Sequence, residues 1–160
     1  MIDTTDLQLL DWLQDNARVS NADIARRLEM APSAVLKRIR RLETHGVIEG
    51  YSARIEPRAI ERGLCAFVHL RTDETLGSPS VAEALARMPE VLEVHDIAGE
   101  DCYLAKVRVR DTDELHELIR GRIAALDLVR STSTTIVLKT FKETSALPVA
   151  AETPNPEASR

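Results

Sequence analysis

The stretch "MAPSAVLKRIRRLE", residues 30–43, places Lys37, Arg38, Arg40 and Arg41 within five positions of a chain whose formal net charge is −5. Pro32 has no amide donor and biases Ala31 away from helical geometry, yet it suits the first turn of a helix. A helix is therefore expected from about Pro32 to His45, ended by Gly46. On its wheel Val35, Ile39 and Leu42 make an apolar seam. Ser33, Lys37, Arg40 and Arg41 project to the other side, with Arg38 on the flank. A basic helix face has an ordinary explanation, because cations near a helix C-terminus complement its dipole. What precedes the helix gives it another.

Upstream, in "TTDLQLLDWLQDN", Leu7, Leu10 and Leu13 recur at helical intervals, widened by Leu9 and Trp12. Asp3 and Asp6 stand where a helix N-terminus favours negative charge. Ser20 followed by Asp23 resembles a capping box, and Ile24, Ala25 and Leu28 supply the inner face of a short second helix. A basic third helix after a tight turn is the layout of a helix-turn-helix, whose recognition helix enters the major groove of DNA. A helix diameter of roughly 10–12 Å suits a groove about 12 Å wide. Phosphate neutralisation acts over a Debye length of about 8–10 Å, so local placement outweighs an acidic total. Ser20 and Asn21, at the start of the second helix, are further phosphate candidates because helix N-termini point donors outward. For both, simple capping explains the sequence equally well.

Downstream of Gly46 the helical period gives way to alternation. "VIEGYSARIEP" reads as a short strand or extended link closed by Pro57. Then follow a strand in "GLCAFVHLRTD", a helix in "PSVAEALARMP", strands in "VLEVHDIAG" and "CYLAKVRVR", a helix in "TDELHELIRGRIAAL" and a long strand in "VRSTSTTIVLKTFKE". The order βαββαβ predicts a ferredoxin-like domain, an antiparallel four-stranded sheet with two helices on one face and the other face free for a partner. The fold class is thus α+β. A winged-helix-like helix-turn-helix domain (1–50) is joined by a linker strand (51–60) to the ferredoxin-like domain (61–143). The segment 144–160, with three prolines and no periodicity, is expected to be mobile.

Composition bounds the rest. The chain has 160 residues, 44% of them hydrophobic, enough for one ordinary domain or two small ones. No apolar run approaches the roughly 20 residues that cross a bilayer, and the acidic, leucine-rich opening lacks the basic start of an export signal. Cys65 and Cys102 lie in no metal or redox spacing, so no metal or cofactor is expected and the compartment is the reducing cytoplasm. His69, His95, Asp96, Glu100, Asp101 and Cys102 scatter along the central strands, but no nucleophile elbow, phosphate loop or metal spacing accompanies them. An enzyme is not expected. The rival reading is a ferredoxin-like oligomeric interaction module without specific DNA binding.

The turn "AGEDCY" joins the two middle strands. Gly99 permits close backbone approach, the peptide N–H groups around Glu100 can hold a carboxylate, and Glu100 or Asp101 can hold an ammonium. Those are the needs of a free amino acid, although a G-E-D turn is also ordinary hairpin chemistry. In "STSTT" Thr132 and Thr134 share one side of the last strand and can offer hydroxyls, or simply favour the strand as β-branched residues.

Taken together, "IDTTDLQLLDWLQDN", the run "KRIRRLETHGVIEGY" and "IAGEDCYLAKVRV", in that order over residues 2 to 143, resemble the Lrp/AsnC, or feast/famine, family of prokaryotic transcriptional regulators. Two positions depart from the commoner pattern. Ala31 stands where a serine often precedes the proline, so the cap of the third helix is expected from Ser33 or elsewhere, and Cys102 stands where many relatives carry a second acid. The resemblance implies a sequence-specific DNA-binding homodimer, often assembled into tetramers of dimers, acting on the nucleoid. It implies that the C-terminal domain binds an amino acid or related metabolite near Gly99, Glu100 and Asp101 at an interface between dimers. By the same analogy Ser33, Lys37 and Arg40 face bases or adjacent phosphates, and Arg38 and Arg41 face phosphates.

Overall fold

The computed structural model describes residues 1–74, 79–99 and 102–149. The chain divides into two compact units, Met1–Ala53 with Lys142–Arg160, and Arg54–Phe141.

The first unit holds three helices, α1 (Thr4–Asp15), α2 (Asn21–Arg27) and α3 (Pro32–Thr44). None is long enough to persist alone in water, so caps and packing hold them. Asp3 caps α1 in a reciprocal box, accepting from the Asp6 amide at 2.8 Å while its own amide donates to Asp6 at 3.1 Å. Ser20 caps α2, accepting from the Asp23 amide at 3.1 Å and donating its hydroxyl to the Asp23 carboxylate at 2.6 Å. That carboxylate is held below its usual range, first by the Ser20 hydroxyl. Both ends of the following turns close in Schellman fashion. After α2 the Met30 amide reaches the Ala25 carbonyl at 2.9 Å across Glu29, at φ +53°; after α3 the Val47 amide reaches the Leu42 carbonyl at 2.9 Å across Gly46, at φ +67°. Leu9, Ile24, Ala25, Val35, Ile39 and Leu42 form the buried core.

The expected cap from Ser33 is absent. Ala31 is the N-cap of α3 and no side chain bonds there. Ala31→Ser should therefore stabilise this unit by about 1 kcal/mol, seen as a higher unfolding midpoint by Trp12 fluorescence; an unchanged midpoint would mean that the start of α3 has no spare donor to satisfy.

Residues 49–56 form no strand, so the expected linker strand is an extended link ending in a 3-10 turn at Pro57–Ile60. The second unit then runs β1 (Leu64–Thr72), α4 (Ser80–Ala86), β2 (Val91–Asp96), β3 (Tyr103–Val109), α5 (Thr112–Glu117), a π turn (Leu118–Ile123) and β4 (Val129–Ile136). The strands stand in the order β2-β3-β1-β4, all antiparallel, as the ferredoxin-like reading requires. Ala66, Val68 and Leu70 of β1 and Tyr103, Ala105, Val107 and Val109 of β3 point to the helix side and make the core with Val81, Leu85, Leu115, Leu118 and Ile123. The strict alternation buries one face of β3 completely and leaves Leu104, Lys106 and Arg108 half-buried on the other.

Two elements are shorter than the sequence suggests. The helix expected over 112–126 changes at Leu118, where the Ala124 amide donates to the Ile119 carbonyl five residues back at 2.8 Å; Gly121, a weak helix former, lies in the middle. The long last strand stops at Ile136 because its partner runs out: β1 begins at Leu64, and the Val137 amide takes the last available carbonyl, that of Cys65, at 2.9 Å. Beyond it Leu138 and Phe141 are exposed. Further on the chain rejoins the first unit, where the Gln14 amide clamps the backbone of Leu147, donating at 3.0 Å and accepting at 2.7 Å. The mobile tail expected from residue 144 thus includes a tethered stretch, while 150–160 lie outside the described residues.

At the start of α5, Glu114 accepts from the Arg110 amide at 2.7 Å, the Arg110 side chain at 3.2 Å and Arg62 at 2.5 Å. The backbone bond first, then Arg62, bring its carboxyl down to about 2, against about 4.3 in an unfolded chain. Its stabilisation is complete above the unfolded value and is lost as the pH falls toward 2. Glu114→Gln should flatten the acid limb of the stability curve between about pH 4.5 and 2; an identical limb in urea titrations of both proteins would contradict this.

Candidate nucleic-acid interface and effector turn

Val35, Ile39 and Leu42 are buried, which fixes the rotation of α3 in its unit. Ser33, Lys37 and Arg40 lie on the opposite, exposed side. Among the described residues Lys37 and Arg40 make no ion pair. Arg38 and Arg41 are differently placed. One Arg38 nitrogen bonds Asp3 at 2.7 Å and Asp6 at 2.8 Å, and Arg41 bonds the other oxygen of Asp6. Asp6 is fully buried. The hydrogen bond from Arg38 holds the Asp3 carboxyl below its usual range, and the same two acids raise the guanidinium of Arg38. The four basic side chains thus divide into an exposed pair, Lys37 and Arg40, and a pair neutralised by the cap of α1.

That division bears on the expected phosphate role of Arg38 and Arg41, whose charges are already matched within the unit. The acids that match them are 32 and 35 residues away in sequence, too far for helical spacing to reveal. The available signal was two acids in the first turn of α1 facing an arginine excess in α3. Ser20 uses its hydroxyl as both donor and acceptor in capping α2, and Asn21 is half-buried at the first position of that helix. Arg27, at its end, lies 5.4 Å from the centre of the Trp12 ring.

In the second unit Gly99 adopts φ +150°, a region open to glycine, and a side chain added there would meet nothing within 4 Å. Glu100 and Asp101, the acids expected to receive an ammonium group, lie outside the described residues. The base of the turn is closed by the Ile97 amide donating to the Cys102 carbonyl at 3.0 Å, and the Cys102 amide donates to the Leu70 carbonyl at 2.8 Å. Thr132 pairs with Leu70 and Thr134 with Val68, so both hydroxyl-bearing residues stand on the helix side of the sheet, at its β4 edge. Leu70 also pairs with Tyr103. Thr132 is therefore level with the base of the turn but two strand spacings away, about 10 Å.

A polar cluster that the sequence reading missed occupies this end of the sheet. Glu74 accepts from the Ser80 hydroxyl and the Val81 amide, each at 2.8 Å, and from Thr72 at 3.4 Å. It also bonds the Tyr103 hydroxyl, and burial with that bond pushes Tyr103 up to about 12. Beside it Ser80, Val81 and Ala84 of α4 face Leu126, Asp127 and Leu128 across an open hollow. The scattered spacing of Thr72, Glu74, Ser80 and Tyr103 carries no local motif, and only the sheet register brings them together.

With this geometry in hand, comparison with known proteins finds likeness over nearly the whole chain. Residues 2–49 match the model for a winged helix-turn-helix DNA-binding domain, and residues 65–147 the model for the Lrp/AsnC ligand binding domain. The leucine-responsive regulatory protein of Escherichia coli is 32% identical over 150 residues, covering 91% of this chain and 90% of its own. A transcriptional regulator of Neisseria meningitidis, solved in complex with L-methionine, superposes with a TM-score of 0.87 at 28% identity, over 93% of this chain and 97% of that one. A feast or famine regulatory protein of M. tuberculosis, also complexed with L-methionine, gives a TM-score of 0.84 at 33% identity, over 92% and 99%.

Proposed function

The chain belongs to the Lrp/AsnC family, and from that premise we infer that it is a transcriptional regulator which reads DNA with α3 and responds to an amino acid through its second unit. The observation that carries the reading is the exposed strip Ser33–Lys37–Arg40, opposite a buried apolar seam. Lys37 and Arg40 hold charge that no acid among the described residues answers. Arginine supplies bidentate recognition of guanine, and lysine and serine supply base or phosphate contacts. Asn21 and the start of α2 stand as supporting phosphate contacts. The chain acts by binding and not by catalysis, inside the cytoplasm on chromosomal DNA.

The effector is a free amino acid held at the turn that contains Gly99, Glu100 and Asp101, with Thr132 and Thr134 as candidate hydroxyl donors. The L-methionine carried by two similar proteins supports that ligand class. A homodimer, assembled further into groups of dimers, fits a sheet whose second face carries half-buried Phe67 and Leu104. Two recognition helices related by a two-fold axis read half-sites about 10 base pairs apart.

Fluorescence anisotropy against the duplex immediately upstream of its own gene, with a scrambled duplex of equal length, tests this reading. Binding that prefers the upstream duplex, weakens with salt and changes when a mixture of the twenty amino acids is added is expected. Equal affinity for both duplexes at two salt concentrations, with and without the mixture, would favour an interaction module instead.

A further inference from the structure

Five basic side chains might serve DNA from α3 and its surroundings, but the unit withholds two of them. We propose that Asp6 is a positioning residue for DNA recognition: from its buried place on α1 it fastens Arg38 and Arg41, so that Lys37 and Arg40 alone present charge from α3. The inference rests on the DNA-binding reading above and adds to it a source of specificity.

The argument begins with burial. Asp6 has no exposed surface, and an ionised carboxylate survives there only when paired and hydrogen-bonded. Its two oxygens are divided between two arginines of α3, one taking Arg38 at 2.8 Å and the other Arg41. Asp3 takes Arg38 as well, at 2.7 Å, and is half exposed. Two acids thus face two bases, and the group is neutral. Its geometry spans two helices, because the acids belong to the capping box of α1 and the arginines lie one helical turn apart on α3. The same contacts that end α1 therefore hold α3 at one rotation about its axis.

Selectivity follows from what is withheld. Phosphate contacts add affinity without sequence information, so every free arginine on α3 raises binding to all DNA alike. Asp6 keeps two of them from that role and leaves the exposed strip to discriminate. A carboxylate that served packing alone would, once removed, weaken specific and non-specific binding together.

Asp6→Asn keeps the shape and removes the charge, and Asp3→Asn does the same at a surface position where asparagine still caps a helix. Both full-length variants would be titrated against the upstream and scrambled duplexes over a salt series, with folding followed by Trp12 fluorescence. Binding to the scrambled duplex should rise about 3–10-fold, and the slope of log K against log salt should steepen by about 0.9 for each arginine that reaches a phosphate. The preference for the upstream duplex should fall correspondingly, more for Asp6→Asn than for Asp3→Asn. Unchanged slope and preference in folded Asp6→Asn would overturn the proposal; should that variant not fold, an unchanged Asp3→Asn would do so. Equal losses on both duplexes would also overturn it, by showing a packing role. Lys37→Ala, run alongside, separates the two readings: if it too changes nothing, DNA recognition by α3 is what has failed.

Discussion

Replacing Lys37 and Arg40 together by alanine should lower affinity for the specific duplex by about 30–1000-fold at moderate salt and reduce the salt slope by about 2. Both side chains are exposed and project from the face of α3 opposite Val35, Ile39 and Leu42, so the substitution removes no core contact. Alanine is also the better helix former, and α3 should persist. Arginine bidentate to guanine accounts for about 1–3 kcal/mol of the loss and relaxes sequence preference at one base pair. Lysine, as a phosphate contact, weakens binding to all sequences about equally. Single variants should separate the two: Arg40→Ala lowers the preference over scrambled DNA, and Lys37→Ala lowers mainly the slope. A double variant that binds with wild-type affinity and slope would remove α3 from the DNA interface.

The seam and the polar strip of α3 were legible in the sequence because they are repeats of one helix, readable within thirteen residues. The βαββαβ order was legible for the same reason, each strand and helix announcing its own period. What pairs residues across the fold was not. Nothing near Arg38 indicates that Asp3 and Asp6 neutralise it, and both Arg38 and Arg41 read locally as additional basic surface. The end of β4 depends on where β1 begins, so the apolar alternation through Val137 and Leu138 suggested a strand longer than its partner can support. The register that sets Thr132 and Thr134 toward the helices likewise belongs to β1, and from β4 alone only their shared side could be read.

A second large effect is expected in the core of the first unit. Ile24 is fully buried at the middle of α2, a helix of seven residues with too few turns to hold its own shape. Ile24→Ala removes three carbons from a site enclosed by α1 and α3 and should cost about 2–5 kcal/mol. A unit of this size commonly holds only about 3–8 kcal/mol in total, so most of its stability goes with one side chain. Trp12, the sole tryptophan, packs against this core and reports on this unit alone. Its urea midpoint should fall by about 1–3 M, and DNA binding should be lost near body temperature. The second unit, whose buried cluster does not include Ile24, should keep its own transition by far-ultraviolet circular dichroism. A Trp12 midpoint within about 0.3 M of the parent would show that α2 is held by something other than its buried face.

The π turn at Leu118–Ile123 also has a meaning in terms of chain length. A helix with one residue inserted relieves the surplus as a wider turn, and here the surplus is absorbed between the carbonyl of Ile119 and the amide of Ala124. Deleting one residue, Gly121 being the least encumbered, restores ordinary helical spacing and swings everything that follows by about 100° relative to what precedes it. The segment Leu126–Leu128, whose last carbonyl receives the Asp73 amide at 2.9 Å, would lose its place opposite Ser80, Val81 and Ala84. A single-residue gap between relatives at this point therefore marks a different wall for the hollow, even where every flanking residue is the same.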